Sequence, residues 1–255
     1  MPLFYGSRPI LDYKKISNKY KDKIHLLLDG AQTSFAHLDY DIPTNGSILS
    51  CPHKSTSLND GAILYLKNYN KKMKINYSNL KEEFRFSKIK KESRQLMSLN
   101  SKIKETKGLT LIKSLEEKWK SDPPMKMNSK NIKKFIYIDE LNHKKIRRRN
   151  FFFLKKILNN ILPPIINFKN ETPFAYPTLV NNRSFFLKKL HKHRIYATSL
   201  WYDAAINKNN FPKAYEYKKK LIAFPIDQRY SLKDISIMAI LIKRLITKKN
   251  VISNN

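Results

Sequence analysis

The chain has 255 residues, 41% of them hydrophobic and 12% aromatic, with a formal charge of +31 and a single cysteine, Cys51. That apolar content can bury a core in one large or two small domains, and one cysteine excludes an internal disulfide framework. No segment reads as a signal peptide or as an apolar span long enough for a membrane, so a cytoplasmic protein is expected.

The positive charge invites a polyanion partner, but lysine far outnumbers arginine and Asn and Ile are abundant. All three are encoded by A/T-rich codons, so drift in composition accounts for the balance. Nucleic acid is therefore not expected as a partner, while a polyanion-binding surface stays open because counterion release does not depend on why the lysines are there. The histidines and Cys51 show no metal-ligand spacing, and no glycine-rich loop has the form that cradles phosphates.

In chain order, Ile10, Leu11, Tyr13, Ile16 and Tyr20 recur near helical spacing and predict a helix over 10–20. Ile24–Leu28, Ile48–Ser50 and Ala62–Leu66 read as strands. The resulting β-α-β pattern favours parallel pairing, with ligands at the carboxyl ends of the strands. Residues 67–138 are rich in Lys, Asn, Ser and Glu. They suggest helices over 80–97 and 109–120, with a break at Pro123-Pro124. A long helix is expected over 139–162, ended by Pro163-Pro164. Arg147-Arg148-Arg149 lies on it and reads as a solvated face. Beyond it, 174–180, 195–200 and 221–224 are strand candidates, and a helix is expected over 183–193. Ser231 and Asp234 have the spacing of an N-terminal cap for a last helix reaching about residue 246. Trp201 and Phe224 read as core residues. The division expected is a large-domain part over 1–138, with a lysine-rich helical segment, and a C-terminal α+β part over 139–255 led by the long helix.

Chemistry concentrates between Leu26 and Leu66. The apolar run Leu26-Leu27-Leu28 ends in Asp29, followed by Gly30-Ala31-Gln32. A second short run, Ile48-Leu49-Ser50, leads through Cys51-Pro52-His53 to Lys54, and a third strand follows Gly61. A carboxylate and a lysine behind adjacent strands suit a pyridoxal-phosphate (PLP) site. The lysine carries the cofactor covalently, and the carboxylate pairs with the pyridinium nitrogen so that the ring becomes an electron sink.

These blocks resemble the DegT/StrS family of PLP-dependent sugar aminotransferases, of the aspartate-aminotransferase fold (fold type I), with an N-terminal part of the large domain absent. Tyr5-Gly6 with the following helix and Leu26–Gln32 is similar to the segment that leads into the family's Asp-Ala-Ala-Gln. Lys54 through Ala62 is similar to its lysine segment running into Gly-Glu-Gly-Gly. Ala175–Val180 with Arg183, Ile195–Trp201 and Phe224–Ser231 resemble its C-terminal small domain. The resemblance implies an α/β fold: a partial large domain with a mixed or parallel sheet and helices, then the α+β small domain. It implies a cytoplasmic aminotransferase of polysaccharide biosynthesis, with a keto-sugar nucleotide and an amino-acid donor as substrates. It also implies a homodimer, or a chain complemented by a separate N-terminal polypeptide.

By the same resemblance Lys54 carries PLP, Asp29 contacts the pyridine nitrogen, and Gln32 lies near the ring's phenolic oxygen. Ser50 takes the cofactor phosphate, one position from the family's serine, where this chain has Leu49. The chain departs at Gly30, Asn59, Asp60 and Ala62 from the family's usual residues. His37 and His53 are also similar to class V enzymes such as cysteine desulfurases, but Cys51, three residues before Lys54, cannot serve as a downstream loop cysteine. The alternative is a non-catalytic relative that binds a partner chain or a polyanion through its basic surface.

Overall fold

The computed structural model describes residues 1–33, 35–67, 80–99, 101–119, 127, 129–201 and 204–252. In chain order the elements are α1 (Tyr13–Lys19), β1 (Leu26–Gly30), α2 (Ala36–Asp39), β2 (Gly46–Ser50), β3 (Ile63–Leu66), α3 (Leu80–Ser98), α4 (Lys102–Trp119), α5 (Ser129–Ile136), α6 (Glu140–Leu158), β4 (Tyr176–Leu179), α7 (Arg183–Lys192), α8 (Pro212–Lys220), β5 (Leu221–Phe224) and α9 (Leu232–Ile252). The expected break at Pro123-Pro124 lies outside the described residues. The chain divides into two compact units. One holds Met1, Asp12–Ala31 and Tyr40–Ile138; the other holds Pro2–Leu11, Gln32–Asp39 and the chain from Asp139 onward.

The first unit is built on a three-stranded sheet of order β1-β2-β3. β1 and β2 pair in parallel, with Leu28 opposite Ile48 and Asp29 opposite Leu49. β3 returns antiparallel to β2, Ser50 facing Ile63. The sheet is therefore mixed. The link from β2 to β3 contains only a short 3-10 turn, Pro52–Lys54, and no crossover helix, and a parallel return needs a longer connection. As the central strand, β2 is buried at four of its five residues, as expected of a strand covered on both faces. Gly46 opens it because a Cβ there would meet the Leu26 carbonyl oxygen at 2.2 Å. Asp12 caps α1 by accepting from the Lys14 and Lys15 amides. α3 and α4 pack together, and Ser93 Oγ of α3 donates to the Gly108 carbonyl at 2.6 Å.

The second unit has a core of Phe151, Leu154, Leu158, Tyr176, Phe224, Ile226, Ile235, Ala239 and Ile242. β4 and β5 form an antiparallel pair. Asp139 caps α6, accepting from the Asn142 amide at 3.0 Å. The buried stripe of α6 is Arg147, Asn150, Phe151, Leu154 and Leu158, the i, i+3, i+4 rhythm of a core-facing helix. The basic triplet is thus not a solvated face. Arg147 is buried and donates to Gln228 Oε1 at 3.1 Å and to the Phe174 carbonyl at 2.9 Å. Arg148 holds the Glu171 and Lys169 carbonyls. Only Arg149 of the three is exposed. Ser231 and Asp234 form the expected reciprocal cap: the Ser231 amide donates to Asp234 Oδ2 at 2.8 Å, and the Asp234 amide to Ser231 Oγ at 3.2 Å.

Segment 195–200 is not a strand. It contributes a single antiparallel bridge, Thr198 with Ala223. Arg194 and Trp201 on either side take positive φ angles, 60° and 55°, and these turn the chain away from the sheet. Trp201 is 38% exposed, whereas Phe224 is fully buried.

Candidate functional site

Parallel pairing brings the ends of β1 and β2 to the same edge of the sheet. Asp29 and Ser50 stand one register step apart there, because Gly30 is opposite Ser50. Ser50 is 2% exposed. Asp29 is half-buried, and its Oδ1 accepts from the Ala31 amide at 2.9 Å, a local turn that fixes the carboxylate at the strand end. Past Ser50 the chain turns through Cys51 into the 3-10 turn, where the Lys54 amide donates to the Cys51 carbonyl at 3.0 Å. The Lys54 side chain is exposed, and its ammonium has no hydrogen-bond or ion-pair partner among the described residues.

Burial pushes the Cys51 thiol pKa up, Lys54 pulls it down, and Asp29 pushes it up again. Asp29 and the turn that carries Lys54 thus follow the carboxyl ends of two paired strands. Gln32, the fourth expected site residue, belongs to the other unit. Its Oε1 is buried and has no hydrogen-bond partner among the described residues.

His53 and the loop behind Lys54 are held firmly. His53 Nδ1 lies 2.6 Å from the Gly61 carbonyl. A carbonyl oxygen only accepts, so Nδ1 carries the proton. Burial lowers the His53 pKa to about 4, aided by Lys90, Lys54 and Arg94, against the opposing hydrogen bond to Gly61. Gly61 has φ +110°, a conformation that side chains rarely adopt. Arg94 of α3 reaches the Leu58 carbonyl at 2.8 Å, Asn59 Oδ1 at 3.2 Å and the His53 carbonyl at 3.3 Å. Sequence reasoning did not single out Arg94; nothing in its neighbourhood marks it, since its partners are 35 or more residues away. His37 faces Glu140 at 2.9 Å in the second unit.

PLP asks for an amine, a carboxylate and phosphate donors. Lys54 and Asp29 supply the amine and the carboxylate at one sheet edge, whereas Ser50, one register step from Asp29, turns its side chain to the opposite face of the sheet. The amine and the carboxylate fit the group, and Ser50 serves its phosphate only with a shift of the loop. Among the described residues, no three His, Cys, Asp or Glu side chains are grouped to hold a metal, and no helix is long and apolar enough to cross a membrane.

No protein-family model matches the chain, and no curated protein sequence does. Solved structures do. A DegT/DnrJ/EryC1/StrS aminotransferase from Brucella abortus superposes with a TM-score of 0.55 at 10% identity, covering 96% of this chain and 63% of its own. The chain has the fold of these aminotransferases. Spr1654 of Streptococcus pneumoniae, described as a sugar aminotransferase and solved in its PMP form, gives a TM-score of 0.58 at 14% identity, over 100% of this chain and 68% of its own. PseC of Helicobacter pylori, an aminotransferase involved in the biosynthesis of pseudoaminic acid, gives 0.55 at 13% identity, over 97% and 66%. The chain thus spans about two thirds of the length of the DegT-type structures it resembles.

Proposed function

We propose that this chain is a PLP-dependent aminotransferase-like protein that moves an amino group between an amino acid and a keto-sugar nucleotide. The observation that carries the reading is Asp29 at the carboxyl end of β1, with the turn bearing Lys54 following the end of its parallel neighbour β2. The fold shared with DegT-type aminotransferases supports it. Polysaccharide biosynthesis in the cytoplasm is the setting we infer, and PseC, an aminotransferase involved in the biosynthesis of pseudoaminic acid, supports a biosynthetic role.

PLP, when bound, supplies a sink for the electrons of a breaking C–H bond. Lys54 Nζ would hold the cofactor and, when free of it, would take up and return a proton at Nζ. Asp29 would keep a proton at the pyridine nitrogen. Ser50 Oγ would donate to the phosphate only with a shift of the loop that follows it. The exposure of Lys54 leaves its amine open to an aldehyde.

We place the PLP-binding part in 1–138 and the small-domain part in 139–255. The chain would act as a homodimer. β1 is an edge strand, and its outer backbone already takes a partner: the Asp29 amide donates to the Met1 carbonyl at 2.8 Å, and the Met1 ammonium to the Leu27 carbonyl at 2.7 Å. The exposure of Lys54 also favours a second reading, a non-catalytic relative that binds a partner chain or a polyanion.

The test is a half-reaction. The chain is mixed with PLP and L-glutamate, and 2-oxoglutarate is measured beside Lys54→Arg and Asp29→Asn. One equivalent of 2-oxoglutarate per chain, lost in both variants, is expected. No 2-oxoglutarate, or equal amounts from Lys54→Arg, would overturn the enzymatic reading.

A further inference from the structure

Lys54 ends a three-residue 3-10 turn in the loop that joins β2 to β3. A loop of this kind ordinarily opens more readily than the strands beside it. A side chain that must meet a cofactor, however, has to be held to within about 0.5 Å.

The contacts that hold this loop come from the lysine-rich segment. Arg94 of α3 spreads its guanidinium over it. One terminal nitrogen donates to the Leu58 carbonyl at 2.8 Å and to Asn59 Oδ1 at 3.2 Å, and the other donates to the His53 carbonyl at 3.3 Å. These acceptors flank Lys54 on both sides in the chain. A planar fork of donors joins such acceptors at once, whereas an ammonium is a single point of charge. At the far end of the loop, Asn131 of α5, itself 3% exposed, donates to Asp60 Oδ1. Met127 fills the space beside Gly61 that a Cβ would need, and His53 Nδ1 closes the loop on the Gly61 carbonyl. α3 is anchored in turn, because Ser93, the residue before Arg94, is fully buried and donates to the Gly108 carbonyl of α4.

We propose that Arg94 is a positioning residue for Lys54: from α3 it clamps residues 53–59 and keeps the Lys54 amine in one place at the sheet edge that carries Asp29. This rests on the reading of Lys54 as the residue that holds the cofactor. It also gives the lysine-rich segment a task that no motif announces, since α3 and α5 form the wall against which the loop is set.

The experiment is amide hydrogen exchange of the full chain without cofactor, read by mass spectrometry. The Lys54, Ser55 and Thr56 amides donate to the Cys51 and Pro52 carbonyls, so they report the turn. In Arg94→Ala their protection is expected to fall about tenfold, while Leu26–Gly30 and Gly46–Ser50 keep the protection of the parent. Arg94→Lys keeps the charge without the fork and is expected to lose as much. Lys91→Ala, which removes an exposed cation from the same helix, is expected to change nothing. Millimolar guanidinium ion is expected to restore the turn in Arg94→Ala. After incubation with PLP and borohydride, the share of adduct on Lys54 is expected to drop in Arg94→Ala and to return with guanidinium. Unchanged turn protection in Arg94→Ala, a loss spread equally over the two strands, full protection in Arg94→Lys, or an undiminished adduct on Lys54 would overturn the proposal. Turn protection that follows Arg94 in a parent that takes no adduct on Lys54 would support the clamp and refute the cofactor reading, so the two failures are separable.

Discussion

His53 offers the sharpest quantitative prediction because its neighbourhood forces it neutral. Its ring is largely buried, its Nδ1 proton is held by the Gly61 carbonyl, and Lys90, Lys54 and Arg94 surround it. Its pKa falls from 6.5 to about 4. With the folded value below the unfolded one, the unfolded chain binds the extra proton first. The stabilisation is complete above pH 6.5 and is lost as pH falls toward 4. At about 1.4 kcal/mol for each pH unit, the whole effect is about 3 kcal/mol, and about 2.5 kcal/mol of it is gone by pH 4.5. His53→Asn keeps an N–H donor for Gly61 without a titrating group. Urea unfolding of both chains at pH 7.5 and 4.5 measures the difference. The variant is expected to gain on the parent by about 2.5 kcal/mol between the two pH values. Parallel profiles, or a relative loss in the variant, would refute the reasoning.

Other perturbations follow from the packing. Asn150 is fully buried and its amide nitrogen donates to the carbonyls of Ile226, Asp227 and Tyr230. Asn150→Leu leaves those acceptors unmet and is expected to cost about 2–4 kcal/mol in denaturant unfolding; a loss well under 1 kcal/mol would show the turn re-hydrating instead. Gly46→Ala places a methyl 2.2 Å from the Leu26 carbonyl, and about 3 kcal/mol of destabilisation is expected; an unchanged urea midpoint would mean the two strands part freely. Ser231→Ala removes one half of a reciprocal cap on α9 and is expected to cost about 1 kcal/mol, read as a lower thermal midpoint; no change would mean Asp234 alone holds that end.

Local signals explain which parts were legible in the sequence. Leu221–Phe224 is apolar at every position and follows three lysines, and β5 occupies those four residues. Asp29 sits at the end of its apolar run, and the strand end holds it. Ser231 and Asp234 act within four residues of each other, so their spacing is enough. Long-range partners were not readable. Arg147 looks like its two neighbours in sequence, and only the Phe174 carbonyl and Gln228 across the fold make it a buried residue. Positive φ at Arg194 and Trp201 broke an apparent strand without any glycine to announce it. α8 was passed over because its pattern has no apolar stripe, although Pro212 at its first turn is a start signal. Gln32 was placed with Asp29 by the family resemblance, and the chain enters the other unit at that residue.

The most direct test of the central claim is selective labelling. The chain is incubated with one equivalent of PLP, reduced with borohydride, and mapped by peptide mass spectrometry, with Lys54→Ala alongside. Of 41 lysines, Lys54 is expected to carry nearly all of the reduced adduct, and the alanine variant almost none. Adduct spread evenly over the surface lysines, or labelling that survives Lys54→Ala, would contradict the assignment of this sheet edge as the cofactor site.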